Sequence, residues 1–389
     1  MAEAPPAVRP TILDVDLDAL RRNAARLKRH ASGAALLAVV KADAYGHGAV
    51  PVARDLRRDS LADWLGVALV EEGVQLRAAG VEGPILLLGP AGPAQGPAIL
   101  RHGLVPAVYS LVFARALEAA AAAAGTMLGV HLKMDSGMGR LGFRPEELPG
   151  LFETLRTCPH LRVEGLFSNL ASADDPASPQ TAAQVERFAE MLGAVRAAGH
   201  DPAWVDLANS SGLLAHPASH FKMVRPGLAL YGLRPSERLP DIGLEPAVAF
   251  RTEVAQVKDL PPGTPVGYGA TYVTAARQRV GVLPLGYADG LPRSLGNGAG
   301  YVLVRGRRCP LLGRVSMDLS TVDLEPAGEP GAGEPVTLWG QDGGERVTPH
   351  DWARWSGTIA YEVTCHVGAR VARRYTLDGR ATMDRPLLR

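Results

Sequence analysis

The residue with the clearest chemical potential is Lys41, which ends the apolar run ALLAVVK (residues 35–41). An amine that emerges from an apolar strand into a cavity is desolvated, which lowers its pKa and prepares it for Schiff-base chemistry. An isolated lysine at a strand end is more often a surface residue. Here the next residues, ADAYGHG, add Tyr45, His47 and two glycines, and this composition favours a loop shaped around a ligand.

Other polar residues also follow apolar runs of the chain. They are Lys133 and Arg140, Ser168 and Asn169, Asn209 with Ser210 and Ser211, and Arg225 with Gly227. In barrel enzymes the catalytic groups lie after the C-terminal ends of the strands. We therefore expect these side chains to converge on one mouth of such a barrel.

Two of these segments could bind a phosphate group. Ser210, Ser211 and Gly212 offer hydroxyl and N–H groups at the start of a helix, and Gly227 allows close approach of the backbone. The loops after strands seven and eight are the usual phosphate site of barrels, although serines there can also simply cap a helix. A phosphate site across the mouth from Lys41 suggests pyridoxal 5′-phosphate (PLP) as the cofactor.

The elements that must position these residues alternate along the first two-thirds of the chain. Continuous apolar runs are typical of strands covered on both faces, and we predict strands at 35–41, 65–70, 84–89, 105–110, 128–134, 163–168, 204–208 and 223–231. Helical spacing of apolar residues marks, among others, 16–30, 112–124 and 181–198. This alternation predicts an α/β fold with an N-terminal (β/α)8 TIM-like barrel over residues 11–240. An open doubly wound sheet is the alternative, but no GxGxxG turn follows the first strand.

The last third of the chain has a different pattern, with short strands separated by Gly/Pro turns. We predict strands at 248–257, 279–285, 301–304, 310–315, 320–324 and 335–339, and one helix at 350–356. Residues 241–389 are therefore predicted to form a C-terminal, mostly β domain. The early segment Thr11–Leu17 is also strand-like and could pair with it.

Length and composition exclude several classes of protein. The 389 residues are 47% hydrophobic, which is enough for a sizeable core, and the formal net charge of +1 indicates no nucleic-acid or anionic-membrane partner. The apolar stretch at 119–130 is shorter than the roughly 18–20 residues that a membrane span requires. Three widely spaced cysteines and an N-terminus without a secretory pattern favour a reducing compartment. We expect a cytoplasmic enzyme that uses no metal.

Eight segments together resemble the alanine racemases, which are two-domain PLP enzymes with a barrel and a β domain. The segments are AVVKADAYGHGA (38–49), VHLKMDSGMGRLGF (130–143), ANSSG (208–212), KMVRPGLALYG (222–232), VGYGATY (266–272), PLGYADGLPR (284–293), GRVSMD (313–318) and YEV (361–363). The resemblance extends from about Thr11 to Arg373. It implies a racemase that interconverts L- and D-alanine and supplies D-alanine for peptidoglycan.

The resemblance assigns the two bases that racemisation needs on opposite faces of the substrate. Lys41 would hold PLP as a Schiff base and then serve as one base. Tyr268 would be the other and would reach the active site of the partner subunit. A homodimer with shared active sites is therefore expected.

The resemblance also implies roles for three cations. Arg225 would face the pyridine nitrogen of PLP and, because arginine keeps its proton, would leave that nitrogen unprotonated and restrain transamination. Arg140 would bind the phenolic oxygen of the cofactor and the substrate carboxylate. Lys133 matches a lysine that is carbamylated in the family, whereas its alternative is an ordinary ion pair with Asp135.

Further residues would bind the cofactor or the substrate. The phosphate would be bound by Tyr45, Ser210, Gly227 and Tyr361. Met317 would offer its backbone N–H to the substrate carboxylate, and Tyr287 and the Asp289 loop would line the entrance. Asn169 stands where many of these racemases carry a histidine near the pyridine ring, and its amide can still donate and accept hydrogen bonds.

Three alternative functions fit parts of the pattern. A racemase for serine or several amino acids differs only in a small pocket, which discriminates weakly. A PLP-dependent decarboxylase of the barrel type would carry an acidic residue where Arg225 stands. A non-catalytic PLP-binding protein would typically be a barrel alone, without the domain that carries Tyr268 and Met317.

Overall fold

The computed structural model of the chain describes residues 9–384, with side chains up to residue 382. These residues divide into two compact units. The first comprises Ala19–Glu245, and the second joins residues 9–18 to residues 246–384.

The first unit confirms the predicted barrel. After β1 (Ile12–Asp16), which belongs to the second unit, the strands of the barrel follow in chain order. They are β2 (Ala35–Val39), β3 (Trp64–Val67), β4 (Ile85–Leu87), β5 (Val105–Val108), β6 (Leu128–Lys133), β7 (Leu161–Phe167), β8 (Trp204–Asp206) and β9 (Met223–Val224). Each strand pairs in parallel with the next, and β2 pairs with β9 through Ala35 and Met223, so that the cylinder closes.

Helices alternate with these strands, as expected for a β/α barrel. They span Leu17–His30, Ala49–Arg58, Val70–Ala78, Gly96–Arg101, Leu111–Ala123, Leu148–Arg156, Pro179–Ala197 and Ser210–Ala215. The predicted helices at 16–30, 112–124 and 181–198 agree with three of these to within two residues. Aromatic rings fill the barrel, where Trp64 packs against His131 and Trp204 with ring centroids 5.1 and 5.4 Å apart. None of the helices formed by residues 9–384 combines the length and the apolar character needed to cross a lipid bilayer.

Several predicted strands of the barrel extend too far toward the C-terminus, and two of these ends carry site residues. Strand β2 stops at Val39, and Lys41 instead opens a short helical turn. Strand β9 stops at Val224, so Arg225 follows the strand, and residues 228–231 form a 3₁₀ turn. Pro226 explains the second difference because it cannot donate a ladder hydrogen bond.

The second unit is a mostly β domain built on one large, chiefly antiparallel sheet. Its further strands are β10 (Val248–Glu253), β11 (Gln256–Leu260), β12 (Pro265–Val266), β13 (Tyr272–Val273), β14 (Gln278–Leu283), β15 (Tyr301–Val304), β16 (Arg307–Leu312), β17 (Ser320–Asp323), β18 (Pro335–Asp342), β19 (Glu345–Val347), β20 (Ala372–Leu377) and β21 (Arg380–Asp384). The order in the sheet is β11-β14-β17-β16-β15-β18-β10-β1-β20-β21, with β19 on β18 and a separate β12–β13 hairpin. Strand β1 thus lies between β10, to which it is antiparallel, and β20, to which it is parallel.

The single strand predicted at 248–257 is two strands in the structure. Strand β10 pairs with β18, whereas β11 pairs with β14. Between them Val254 donates to the carbonyl of Glu334, and Ala255 donates to the carbonyl of Val282. At this point the chain leaves the strand β18 and pairs with β14 instead. The unbroken apolar pattern of the sequence does not reveal this change of neighbouring strand.

Helices Pro349–Ser356 and Ala360–Cys365 complete this unit. The first was predicted at 350–356, and Thr348 and Asp351 form a reciprocal cap at its start. Its Trp352 packs on Trp339 and Phe250, with ring centroids 5.0 and 6.3 Å apart. The second helix and strands β20 and β21 were not predicted.

Candidate active site

The turn that carries Lys41 has a left-handed backbone. Ala42, Asp43, Ala44 and Tyr45 have φ values of 53°, 52°, 54° and 55°. A left-handed conformation costs an L-residue roughly 1–2 kcal/mol, so four in a row are expensive. The turn persists because its backbone is tied on both sides: Ala44 donates to the carbonyl of Val40 (2.9 Å) and Gly48 to that of Asp43 (2.8 Å). Strain of this kind is typical of functional sites.

The C-terminal ends of the barrel strands enclose a cavity of about 350 Å³. Five residues predicted for the site line it: Lys41, Lys133, Arg140, Asn169 and Arg225. Leu88 and Phe167 contribute apolar walls. The cavity therefore combines one side that can exclude water with a strongly cationic side that suits an anionic ligand.

Arg225 is fixed from several directions. It is buried, and its Nη2 donates to the carbonyl of Ser168 (2.7 Å) and to Oδ1 of Asn169 (3.4 Å). Its Nη1 forms an ion pair with the carboxylate of Asp206, the last residue of β8, which is completely buried. Because arginine keeps its proton in proteins, the guanidinium of Arg225 stays charged where it lines the cavity.

Lys133 is the second buried basic residue of the cavity. Its Nζ donates to the carbonyl of Met134 (2.9 Å) and lies 5.0 Å from the ring centroid of Phe167. Burial, with repulsion by Arg225, lowers the pKa of Lys133 to about 7. The carboxylate of Asp135 is occupied instead by the N–H groups of residues 137–139. A substantial fraction of Lys133 is therefore uncharged and nucleophilic at neutral pH.

Three residues predicted to bind phosphate lie against one another. Ser210 begins the helix Ser210–Ala215, and its Oγ accepts hydrogen bonds from the N–H groups of Gly227 (2.9 Å) and Ala229 (3.3 Å). A Cβ atom at Gly227 would lie 2.3 Å from the hydroxyl oxygen of Tyr45. Only glycine therefore allows the Tyr45 hydroxyl to approach this backbone.

Asn169 takes part in the same network as the cations. Its Oδ1 accepts from Arg225, and its Nδ2 donates to the carbonyl of Leu170 (3.1 Å). The amide thus satisfies both of its polar atoms, and the orientation of Arg225 does not depend on a histidine at this position.

Sequence reasoning missed two buried polar residues, Asp206 and His131. Asp206 ends the run WVD, and an acid at a strand end was a usable signal. His131 is buried, and burial with the charge of Arg225 lowers its pKa to about 3. A Cβ atom at Gly165 would lie 2.3 Å from the His131 ring, so glycine makes room for a neutral imidazole.

The other predicted site residues lie in the second unit. Tyr268 opens a short turn (Tyr268–Ala270), and its side chain is 72% exposed. Met317 and Tyr287 are exposed as well, and Tyr361 is half-buried in the helix Ala360–Cys365. Whether these residues and those of the barrel serve one site stays a prediction.

The loops that carry Tyr287 and Met317 are joined to each other. Tyr287 donates its N–H to the carbonyl of Ser316 (3.0 Å), and Ala288 donates to that of Met317 (3.1 Å). Asp289 is buried beneath them, and its carboxylate accepts from the N–H of Gly286 (3.0 Å) and forms ion pairs with Arg9 and Arg370. Asp289 is therefore a structural anchor for the two loops.

Comparison with known proteins gives consistent results over both units. Family models of the alanine racemase N-terminal and C-terminal domains match residues 15–235 and 247–375. The alanine racemase of Symbiobacterium thermophilum is 45% identical over 369 residues, covering 95% of this chain and 97% of that protein. That of Syntrophobacter fumaroxidans is 42% identical and covers 92% of this chain and 95% of its own. The crystal structure of the alanine racemase from Bacillus anthracis with bound L-Ala-P superposes with a TM-score of 0.93 at 35% identity, covering 98% and 99% of the two chains.

Proposed function

Because the chain belongs to the alanine racemase family, we propose that it interconverts L-alanine and D-alanine with PLP as its cofactor. The observation that carries the proposal is the cavity that Lys41 lines together with Arg140 and Arg225. Such a reaction needs an amine, here Lys41, and a planar cation that binds a carboxylate, here Arg140. It also needs a fixed cation beside the cofactor ring, here Arg225. The reaction class is that of an isomerase.

The described residues fit PLP at three points. The hydroxyls of Tyr45 and Ser210 converge on the backbone of Gly227, where a Cβ atom would collide with Tyr45, and together they suit a phosphate. Arg225, held by Asp206, suits a pyridine nitrogen that carries no proton. Lys41 supplies the amine for the aldehyde. When bound, PLP withdraws electrons from Cα of an attached amino acid, so that the Cα proton becomes acidic.

The residues of this chain then move that proton. Nζ of Lys41 removes or returns it on one face of Cα, and the hydroxyl of Tyr268 from a partner subunit acts on the other. Arg140 and the backbone N–H of Met317 bind the substrate carboxylate, which fixes Cα between the two bases. The permanent charge of Arg225 keeps a proton off the pyridine nitrogen, which favours return of the proton to Cα over transamination.

Lys133 is proposed to be carbamylated. Its neutral amine adds carbon dioxide and releases one proton, and the product is an anion in a cavity that also holds Arg140 and Arg225. The low pKa of Lys133, about 7 through burial, supports this reaction because it supplies the neutral amine at neutral pH. The carbamate would then orient Arg140 toward the substrate.

The exposed residues of the second unit support a homodimer with shared active sites. Tyr268, Tyr287 and Met317 are large hydrophobic side chains left on its surface, and such groups mark protein interfaces. The proposed role of the enzyme is the supply of D-alanine for peptidoglycan in the cytoplasm.

The comparisons do not favour the alternative of a racemase with broader specificity, which arises only because the resemblance implies a histidine at the position of Asn169 in many of these racemases. A chiral assay of the purified protein with PLP would distinguish the two on L-alanine, L-serine and L-lysine. We expect alanine to give the highest kcat/KM. A higher value for serine or lysine would assign the broader function, and no racemisation of any amino acid would refute both.

A further inference from the structure

The carboxylate of Glu72 connects the turn that carries Lys41 to the end of the neighbouring barrel strand. Its Oε1 accepts a hydrogen bond of 2.7 Å from the N–H of Ala42, the residue directly after Lys41. Its Oε2 accepts from the N–H groups of Ala68 (2.7 Å) and Leu69 (3.1 Å), which follow β3. One side chain therefore holds two strand ends of the mouth at a fixed separation.

Helix capping accounts for only half of this arrangement. Glu72 lies in the first turn of the helix Val70–Ala78, and an acidic residue there commonly reaches back to the N–H before the helix. That role explains the contacts of Oε2. It does not require Oε1 to bind Ala42, which lies 30 residues earlier on another strand end.

The contact with Ala42 falls on the first left-handed residue of the turn. A right-handed path would be intrinsically easier for Ala42, Asp43, Ala44 and Tyr45, since none of them is glycine. A charged acceptor that binds the Ala42 N–H favours the left-handed path, because hydrogen bonds to a carboxylate are stronger than those to neutral groups. The same turn fixes both Lys41 and Tyr45.

We propose that Glu72 is a positioning residue that holds the left-handed turn and thereby aims Lys41 and Tyr45 at the cofactor. This inference rests on the proposed function, in which Lys41 captures PLP and Tyr45 binds its phosphate. Loss of the contact lets the turn relax, so that the amine and the hydroxyl leave their places together. The affinity for PLP then falls by more than the change in the free energy of unfolding accounts for.

The test compares Glu72→Gln with Glu71→Gln. Glutamine keeps the shape of Glu72, but only one of its two terminal atoms can accept a hydrogen bond. Either the N–H of Ala42 or the N–H groups of Ala68 and Leu69 therefore lose their acceptor. Glu71 is the matched control because it is exposed on the same helix and its carboxylate accepts a hydrogen bond from the side chain of Gln95 (3.2 Å), away from the turn. Both variants and the wild type are converted to the apoprotein and titrated with PLP. Amide hydrogen exchange of residues 42–46 is measured on the apoproteins.

We expect Glu72→Gln to weaken PLP binding roughly tenfold or more, the scale of one lost charge-assisted hydrogen bond. The amides of residues 42–46 should exchange at least several-fold faster. Glu71→Gln should match the wild type in both measurements. Adding Ala42→Gly to Glu72→Gln should recover part of the affinity, because glycine adopts the left-handed conformation without a side-chain penalty.

The inference would be overturned if Glu72→Gln bound PLP as tightly as the wild type and its amides at residues 42–46 exchanged at the wild-type rate. A loss of affinity that Ala42→Gly does not reduce at all would overturn it as well, since a role in capping alone cannot be rescued at residue 42. Failure of the proposed function looks different: the wild type itself would then show no PLP band. The exchange of residues 42–46 in the apoprotein still tests Glu72 in that case.

Discussion

The two regions that carry the proposed bases differ sharply in how the chain prepares them. At the barrel mouth Lys133, Ser210 and Arg225 are at most 6% exposed, and hydrogen bonds of the same chain fix each of them. In the second unit Tyr268 is 72% exposed and Met317 52% exposed. The barrel mouth is thus preorganised within one chain, whereas the loops of the second unit present their residues outward.

This difference indicates that the two regions have different roles in the proposed reaction. A strained turn whose backbone is held by hydrogen bonds can keep an amine in one orientation, which suits covalent binding of a cofactor. An exposed tyrosine has no such environment within its own unit and gains one only against another surface. The contrast supports the proposed homodimer, in which Tyr268 would lie against the surface of a partner subunit. The predictions below test the two regions separately, in order of decreasing effect.

Removing the amine at the barrel mouth should have the largest effect. We expect Lys41→Ala to lower racemisation roughly 10⁴-fold or more, because covalent binding and one base are lost together. The visible absorbance band of lysine-bound PLP should disappear even with excess PLP. A band that persists would assign the cofactor to another lysine.

Removing the hydroxyl in the second unit should spare the cofactor. We expect Tyr268→Phe to retain the PLP band while racemisation falls roughly 10²–10⁴-fold, unequally in the two directions, because only one base is lost. Tyr272→Phe is the control, since the Tyr272 hydroxyl donates to Gln278 (2.8 Å) within the same unit. Equal rates for Tyr268→Phe and the wild type would remove Tyr268 from the mechanism.

Mixed dimers test whether the two regions act across subunits. Inactive Lys41→Ala and Tyr268→Phe chains, combined, should recover part of the activity, because one of the two sites then carries both bases. No recovery in heterodimers that have been isolated as such would contradict the shared arrangement.

Asp206→Asn should destabilise the barrel rather than remove a base. The change leaves Arg225 buried without its countercharge, and breaking a buried ion pair from one side costs roughly 3–5 kcal/mol. Urea unfolding measures the loss. Glu345→Gln breaks an exposed pair with Arg308, which solvent screens, and should change the free energy of unfolding far less. An equally small loss for Asp206→Asn would contradict the assigned role of the pair.

Because the pKa of Lys133 is low, we expect the free energy of unfolding to depend on pH in buffer free of carbon dioxide. Burial lowers the pKa of Lys133 to about 7 from an ordinary value of 10.5, so the unfolded chain binds more protons between these values. The free energy of unfolding should therefore gain up to about 1.4 kcal/mol per pH unit above pH 7 from this residue. Lys133→Met should remove that contribution, and identical pH profiles for variant and wild type would contradict it.

The sequence predicted the barrel strands well because each is an apolar run bounded by polar residues. It could not predict the left-handed turn, since the local preferences of Ala42 to Tyr45 favour the opposite hand and the acceptor of the Ala42 N–H is Glu72, 30 residues further along the chain. The pairing of Asp206 with Arg225 likewise joins two separate strand ends. Such long-range contacts leave no periodic signal.

The site residues were predicted by two different routes. Lys41, Ser210 and Gly227 follow from their positions after barrel strands, and the structure places them around the mouth. Tyr268 and Met317 follow only from their motifs, because exposed loop residues carry no pattern of burial. The functional assignment of the second unit therefore depends on the family more than that of the barrel does.

Isotope exchange at Cα tests the central claim, that two bases act on opposite faces, most directly. L-alanine is converted in D₂O with the holoenzyme, and substrate and product are analysed for α-deuterium after a few per cent conversion. We predict that the D-alanine formed is deuterated while the recovered L-alanine is largely protiated, and that the reverse reaction gives the mirror result. Product that retains the original proton would show that one base serves both faces and would contradict the account.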